Sequence, residues 1–372
     1  MNHLKTIGWG LYLTSSWTWC IGMFLPVVLL HRYGWSGVLL FAIPNILGCA
    51  AFGYIVKTPQ YSKSMVKKYG RIMGTFSIVT IAFHAFFLLM LFKLDYLSNQ
   101  IDMNPLVQFI TPTKSALIIL AIAIFLYCLR FLPNMGWIIF GSICWIMSIF
   151  FGFAFLPLET SVETSRAWTD MIWLLPITTF GFLLCPYLDA TFHKALQASP
   201  SKHCFGVFGI AFAAMIVVTC LYQEVILKTL PLLLIIHVCT QCAFSISTHF
   251  FEGIKVWGDK RKNLYFILLL FSSIIALLIA NNNSTVVEYT EDYLRFFLFY
   301  GLIFPGLVFL LLLKNASLTS GRIICFIVFT LACLPLLEAA YLGIEPWLSI
   351  IPILGLVAWD FANCNANQQG TT

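Results

Sequence analysis

Two short segments, Gly22-Met-Phe-Leu-Pro26 and Gly181-Phe-Leu-Leu-Cys-Pro186, combine the residue types that most weaken a helix. Pro26 cannot donate to the carbonyl of Gly22, nor Pro186 to that of Phe182. A helix interrupted at each place would leave backbone groups for an ion or ligand to satisfy. Aromatic side chains surround both segments: Trp17, Trp19 and Phe24 at the first, Phe180, Phe182 and Tyr187 at the second. Neither glycine has an acidic residue within a turn, so a cationic amine finds no counter-ion there. Half-helix N-termini can instead hold a carboxylate. A neutral or zwitterionic solute, amino-acid-like or similar, is the expected ligand. The candidate contacts are Trp17, Trp19, Gly22, Phe24, Phe180, Gly181, Phe182 and His84.

Ionisable residues inside apolar runs are costly and raise a functional question by default. Asp189 lies about two turns beyond the second segment, with His193 four residues on and on the same helical face. The pair reads as a gate or a proton-linked couple, or else as side chains snorkelling from a helix end. His84 and His237 stand alone in their runs and are candidates for substrate contact or proton coupling. His237 and His249 are twelve residues apart, which puts about 120° between their faces and suits a shared haem poorly. Catalytic signatures are missing too: no H-E-x-x-H, nucleophile elbow or phosphate loop is present, and an enzyme is not expected.

The elements that must position these residues are membrane spans. Of 372 residues, 60% are hydrophobic and 10% charged, and mean hydropathy is +0.91. Soluble domains carry about 25% charge, so this composition excludes a cytosolic enzyme and a nucleic-acid binder. Runs of about 20 apolar residues place spans at Ile7–Leu30, Trp35–Ile55, Ile72–Phe92, Ser115–Phe131, Gly136–Leu156 and Trp168–Leu188. They continue at Cys204–Tyr222, Pro231–Phe250, Leu264–Ala280, Leu294–Leu313 and Ile323–Leu342, with Trp347–Trp359 as a twelfth or an interfacial stretch. Fifteen of the 21 Lys and Arg fall on one side when the N-terminus is cytoplasmic, including the group from Lys57 to Arg71 and that from Lys255 to Lys262. The expected setting is a bacterial inner membrane or a plasma membrane. The lipid bilayer and a small solute are then the partners, and the oligomeric state stays open.

Gly22 and Gly181 are 159 residues apart. The same offset carries the third and fifth span starts close to the eighth and tenth, and the second and fourth less well. Five spans per unit is odd, so the second unit would run inverted across the bilayer. The expected fold is an all-α polytopic membrane protein with a five-plus-five inverted repeat. Residues 1–156 form the first repeat, 157–315 the second, and 316–372 one or two additional C-terminal helices. Transporters place their sites where such interrupted helices meet. An unbroken helix at either glycine, or breaks remote from each other, would remove that ground.

The run from Ser15-Ser-Trp-Thr-Trp-Cys to Pro26, with Gly34-Trp-Ser-Gly37 and Phe41-Ala-Ile-Pro-Asn45, resembles the first two core helices of the LeuT-type fold. That fold belongs to the amino acid–polyamine–organocation superfamily, and the Ser-Trp start is most similar to the sodium/solute symporter branch. The resemblance implies secondary transport. It also implies a sodium site in which Ser245, Ser247 and Thr248 of the eighth span meet Thr18 and carbonyls around Gly22. Oxygen ligands suit such a cation, and no organic cofactor is implied. Departures from the branch are the short chain and the lack of a helix before the core. A non-transporting sensor or assembly protein on a degenerate transporter scaffold is the alternative.

Overall fold

The computed structural model describes residues 2–18, 20–98, 129–154, 168–221, 232–314, 316 and 319–369. Trp19 and most of the expected fourth span lie outside them. The described chain is nearly all helical. Its helices are α1 (Asn2–Trp17), α2 (Cys20–Ile55), α3 (Pro59–Ser98), α4 (Asn134–Ala154), α5 (Thr169–Leu188), α6 (Ala190–Ala198), α7 (Cys204–Leu221) and α8 (Leu232–Trp257). α9 (Lys262–Asn282), α10 (Val286–Leu312), α11 (Ser320–Tyr341) and α12 (Ile350–Gln369) follow.

Seven of the described helices are long and apolar enough to cross a membrane: α2, α3, α4, α5, α10 and α11, together with α9 and the turn before it. Several turn their largest apolar residues outward. On α9 these are Ile267, Leu270, Phe271 and Leu278, and on α11 Ile324, Val328 and Leu331. Surface of that kind is stable against hydrocarbon, with every backbone group already paired inside a helix. The protein is a multi-pass integral membrane protein.

α2 consists of two legs that turn at Gly34, whose φ of 65° and ψ of −160° a side chain would oppose. α3 begins thirteen residues before the apolar run that predicts it, because the polar stretch from Pro59 to Arg71 continues the same helix.

The chain packs as two compact units. The first comprises Met1–Val28, Ala50–Ser161 and Asp189–Tyr289, and the second Leu29–Cys49, Val162–Leu188 and Thr290–Thr372. Each draws on separated stretches of the chain, so neither coincides with residues 1–156 or 157–315.

In the second unit α5 winds through 3-10 and π turns and packs on α10. A Cβ added at Gly181 would stand 2.3 Å from the carbonyl oxygen of Tyr300, so the glycine lets two backbones touch. Phe182 packs edge-on to Phe41, with ring centroids 5.3 Å apart, and Phe180 meets Phe309 at 6.0 Å. Glu338 of α11 takes three hydrogen bonds from Arg295 of α10, at 2.7, 2.9 and 3.2 Å, which ties the later helix to its neighbour.

In the first unit, α1 packs against α4 and α7, while α3 lies along α8 and α9. Lys194 of α6 and Glu252 of α8 make a 2.9 Å ion pair with both side chains largely buried. The Lys194 ammonium also lies over the rings of Trp137, at 4.9 Å, and Tyr12, at 5.4 Å. These contacts link four helices, α1, α4, α6 and α8.

Candidate functional site

Helix interruptions are present, at other residues than the two glycines. The helix runs unbroken through Gly22, and π turns carry α5 through Gly181. The first interruption lies one turn before Gly22, after Trp17, and the second two turns beyond Gly181, at Asp189. Both positions are corrections to the sequence expectation, and with the helix continuous at Gly22 the ground that the two glycines gave for a transporter site is removed. A Cβ at Gly22 would meet Phe212 and Thr18 only at ordinary contact distances of 3.6 Å, so nothing there demands a glycine. Gly181 serves close packing instead.

The first break follows from the run Thr14-Ser-Ser-Trp-Thr18. Thr14 donates to the Gly10 carbonyl at 3.0 Å, Ser16 to Leu13 at 3.0 Å and Thr18 to Thr14 at 2.6 Å. Such back-bonding bends helices and competes with the backbone ladder. The carbonyl of Ser15, near the end of α1, is satisfied from α8: Gln241 donates to it at 2.6 Å and Ser245 at 3.2 Å. Ser15 itself donates to the Gly141 carbonyl of α4 at 2.7 Å.

The second break is a helix start. After the turn Cys185–Leu188, Asp189 is extended (φ −80°, ψ 112°) and its Oδ1 accepts from the Thr191 backbone N–H at 2.7 Å. That is an N-cap, the role in which Asp is among the preferred residues.

The two breaks meet inside the first unit. Ser16 Oγ and Thr191 Oγ1 are 3.1 Å apart, and Trp17 packs edge-on to Phe192 at 5.0 Å. His249 of α8 stands between them, its Nε2 3.9 Å from Asp189 Oδ2 and its imidazole also bonded to the backbone of Ser16. Asp189, Thr191, Ser16 and His249 are fully buried. Asp189 Oδ2 has no hydrogen-bond partner among the described residues.

Asp189 and His193 are not paired with each other, which corrects the expected couple. Capping turns the carboxylate back over the start of α6, while His193 Nδ1 bonds Ser62 of α3 at 2.8 Å. Gln197 donates to the same hydroxyl at 2.8 Å. A cavity of about 630 Å³ reaches this turn, lined by Ala190, His193, Lys194, Gln197, Glu252 and Trp137, among others. Lys63, Arg130 and Lys255 line it as well, all from segments expected to face the cytoplasm.

Among the other expected contacts, Phe24 packs on Phe87 of α3 at 5.8 Å, away from the break. His84 Nδ1 bonds the Thr80 carbonyl of its own helix at 2.7 Å, and its buried Nε2 has no partner among the described residues. Phe180, Gly181 and Phe182 belong to the second unit. Of the expected sodium ligands only Ser245 reaches α1. Ser247 donates to Ala243 at 2.5 Å, Thr248 to Phe244 at 3.1 Å, and Thr18 to Thr14. These are the bonds Ser and Thr ordinarily make in membrane helices, and they lend a sodium cage no geometric support.

Sequence reasoning weighed His249 only as half of a haem pair, and the structure gives it a different place. Its signal is a stripe on an otherwise apolar helix: His237, Gln241, Ser245 and His249 recur every fourth residue, with Glu252 three further on. All five are buried. Each step of four drifts about 40°, so the stripe winds round the helix: His237 meets Ser148 of α4 at 3.2 Å, Gln241 and Ser245 meet α1, and His249 and Glu252 face the start of α6.

Comparison of the chain with protein-family models, with curated proteins and with solved structures returns no match.

Proposed function

We propose that this protein is a secondary active transporter that moves a small solute by alternating access, driven by a cation gradient. The observation that carries the reading is the convergence of two helix breaks on one buried polar cluster, joined by His249. Helices broken inside a membrane need a cavity, an ion or a ligand to satisfy them, and paired breaks mark transporter sites. The inverted five-plus-five arrangement of the LeuT-type fold is part of the same proposal. Its support is that one break falls within the first span and the other directly at the end of the sixth, the spans that open the two halves. The glycines that set the 159-residue offset are not the breaks, so the repeat rests on span order.

The test is a thermal-shift screen of detergent-purified protein against solute classes, with and without sodium, followed by counterflow in proteoliposomes for any class that stabilises. One stabilising class that also exchanges across the bilayer is the expected result. Failure of every class in both assays would favour a non-transporting membrane protein on this scaffold. For sodium, the double variant Ser247→Ala, Thr248→Ala decides: a sodium response that survives it removes the ion site the resemblance implies.

A further inference from the structure

Of the buried polar groups around the breaks, Asp189 is in the least settled position. Its Oδ1 is used as a helix cap, at 2.7 Å from Thr191 N. Its Oδ2 faces the His249 imidazole at 3.9 Å, too far for a hydrogen bond, and has no hydrogen-bond partner among the described residues. Both side chains have 0% exposure.

We propose that Asp189 is a proton-binding site and that the cation whose gradient drives this protein is H+. This rests on the transporter reading above and names its coupling ion. In the ionised state the carboxylate is a buried charge whose outer oxygen no donor satisfies. That favours an arrangement in which water from the neighbouring cavity reaches it. Proton uptake converts the group to a carboxylic acid, –COO⁻ + H⁺ → –COOH, beside a neutral His249 whose imidazole stays bonded to the Ser16 backbone. The pair is then uncharged, no buried charge is left without a partner, and the closed packing around both breaks is favoured. A proton needs no room, which suits a side chain packed with no exposure. Its entry route is the cavity whose wall includes Ala190 and His193, the residues next to Asp189 and one turn on.

Other charged and titratable groups stand around the pair. Tyr12 of α1 interacts electrostatically with Asp189 and Glu252, and His84 of α3 with His249; α6 itself carries His193 and Lys194, and α8 Glu252. Lys194 and Glu252 neutralise each other at 2.9 Å, and His193 is held by Ser62. α4 and the described part of α7 carry no charged side chain and offer only thiols. Lys63, Arg130 and Lys255 lie further out along the cavity wall. Asp189 is therefore the carboxylate of this cluster that lacks a cationic partner at ion-pairing distance, unless His249 itself is protonated.

The decisive experiment is an infrared difference titration of the purified full-length protein with protons as the only ligand. It is run on wild type, Asp189→Asn, Asp189→Glu and His249→Gln. Asn caps a helix as well as Asp does, so the first variant keeps its fold. Wild type is expected to show the carbonyl stretch of a buried carboxylic acid that comes and goes with pH. Asp189→Asn loses the band, Asp189→Glu restores one, and His249→Gln shifts its frequency, which a merely structural aspartate would not do. In proteoliposomes, one proton per solute would let a gradient of one pH unit sustain about tenfold accumulation, and Asp189→Asn removes that accumulation. An unchanged band in Asp189→Asn overturns the proposal, as does accumulation that follows sodium and ignores pH. Counterflow without pH dependence would sink the proton site and leave the transporter reading standing. A titrating Asp189 in a protein that exchanges no solute would do the reverse.

Discussion

Replacing each of the two glycines by alanine separates packing from helix breaking. At Gly181 the new methyl would lie 2.3 Å from the Tyr300 carbonyl oxygen and 3.3 Å from its carbon. Both are backbone atoms, so the clash is relieved only by moving α5 against α10. Overpacking of that kind costs about 1–3 kcal/mol. At Gly22 the nearest atoms, on Phe212 and Thr18, are 3.6 Å away. No neighbour must move, and alanine is a better helix former than glycine by about 0.8–1.0 kcal/mol. Gly22→Ala is therefore expected to leave thermal stability unchanged or raised, and Gly181→Ala to lower it clearly. The assay is thermal unfolding of both variants in one detergent, with the wild type alongside. Equal damage from the two would refute the reasoning, since a helix-breaking role for both glycines would predict just that.

Further expectations concern the first unit. Glu252→Gln leaves Lys194 buried without its partner and is expected to cost about 3–5 kcal/mol, whereas Lys194→Met with Glu252→Met comes out near neutral; unfolding curves of the three proteins check the order. Asp189→Ala removes the cap of α6 and costs about 0.5–2 kcal/mol, while Asp189→Asn stays close to wild type in the same measurement. Gln241→Leu strips a 2.6 Å bond from the buried Ser15 carbonyl and is expected to cost about 1–3 kcal/mol. Hydrogen exchange at the end of α1 should then rise locally, and an unchanged exchange pattern would mean that Ser245, which donates to the same carbonyl at 3.2 Å, suffices by itself.

Composition and hydropathy alone determined that this chain lives in a bilayer, because 10% charge cannot cover a water-facing surface. Span positions were legible for the same reason: twenty apolar residues in a row have one stable environment. The elements of the breaks were also present in the sequence, as the hydroxyl run from Thr14 to Thr18 and the Asp189 cap. So was the four-residue stripe of α8 that carries His249.

The exact turn at which each helix stops was decided only in three dimensions. A helix ends where its carbonyls find other partners, and the donors to Ser15 come from Gln241 and Ser245, more than 220 residues along the chain. A Gly–Pro pair lowers the cost of a break without supplying those donors. At Gly181 the residue was instead spent on contact with Tyr300, which no local pattern encodes. The partnership of Asp189 with His249, in place of His193, has the same origin. Local spacing puts residues on a face, and the packing of α6 against α8 chooses what that face meets.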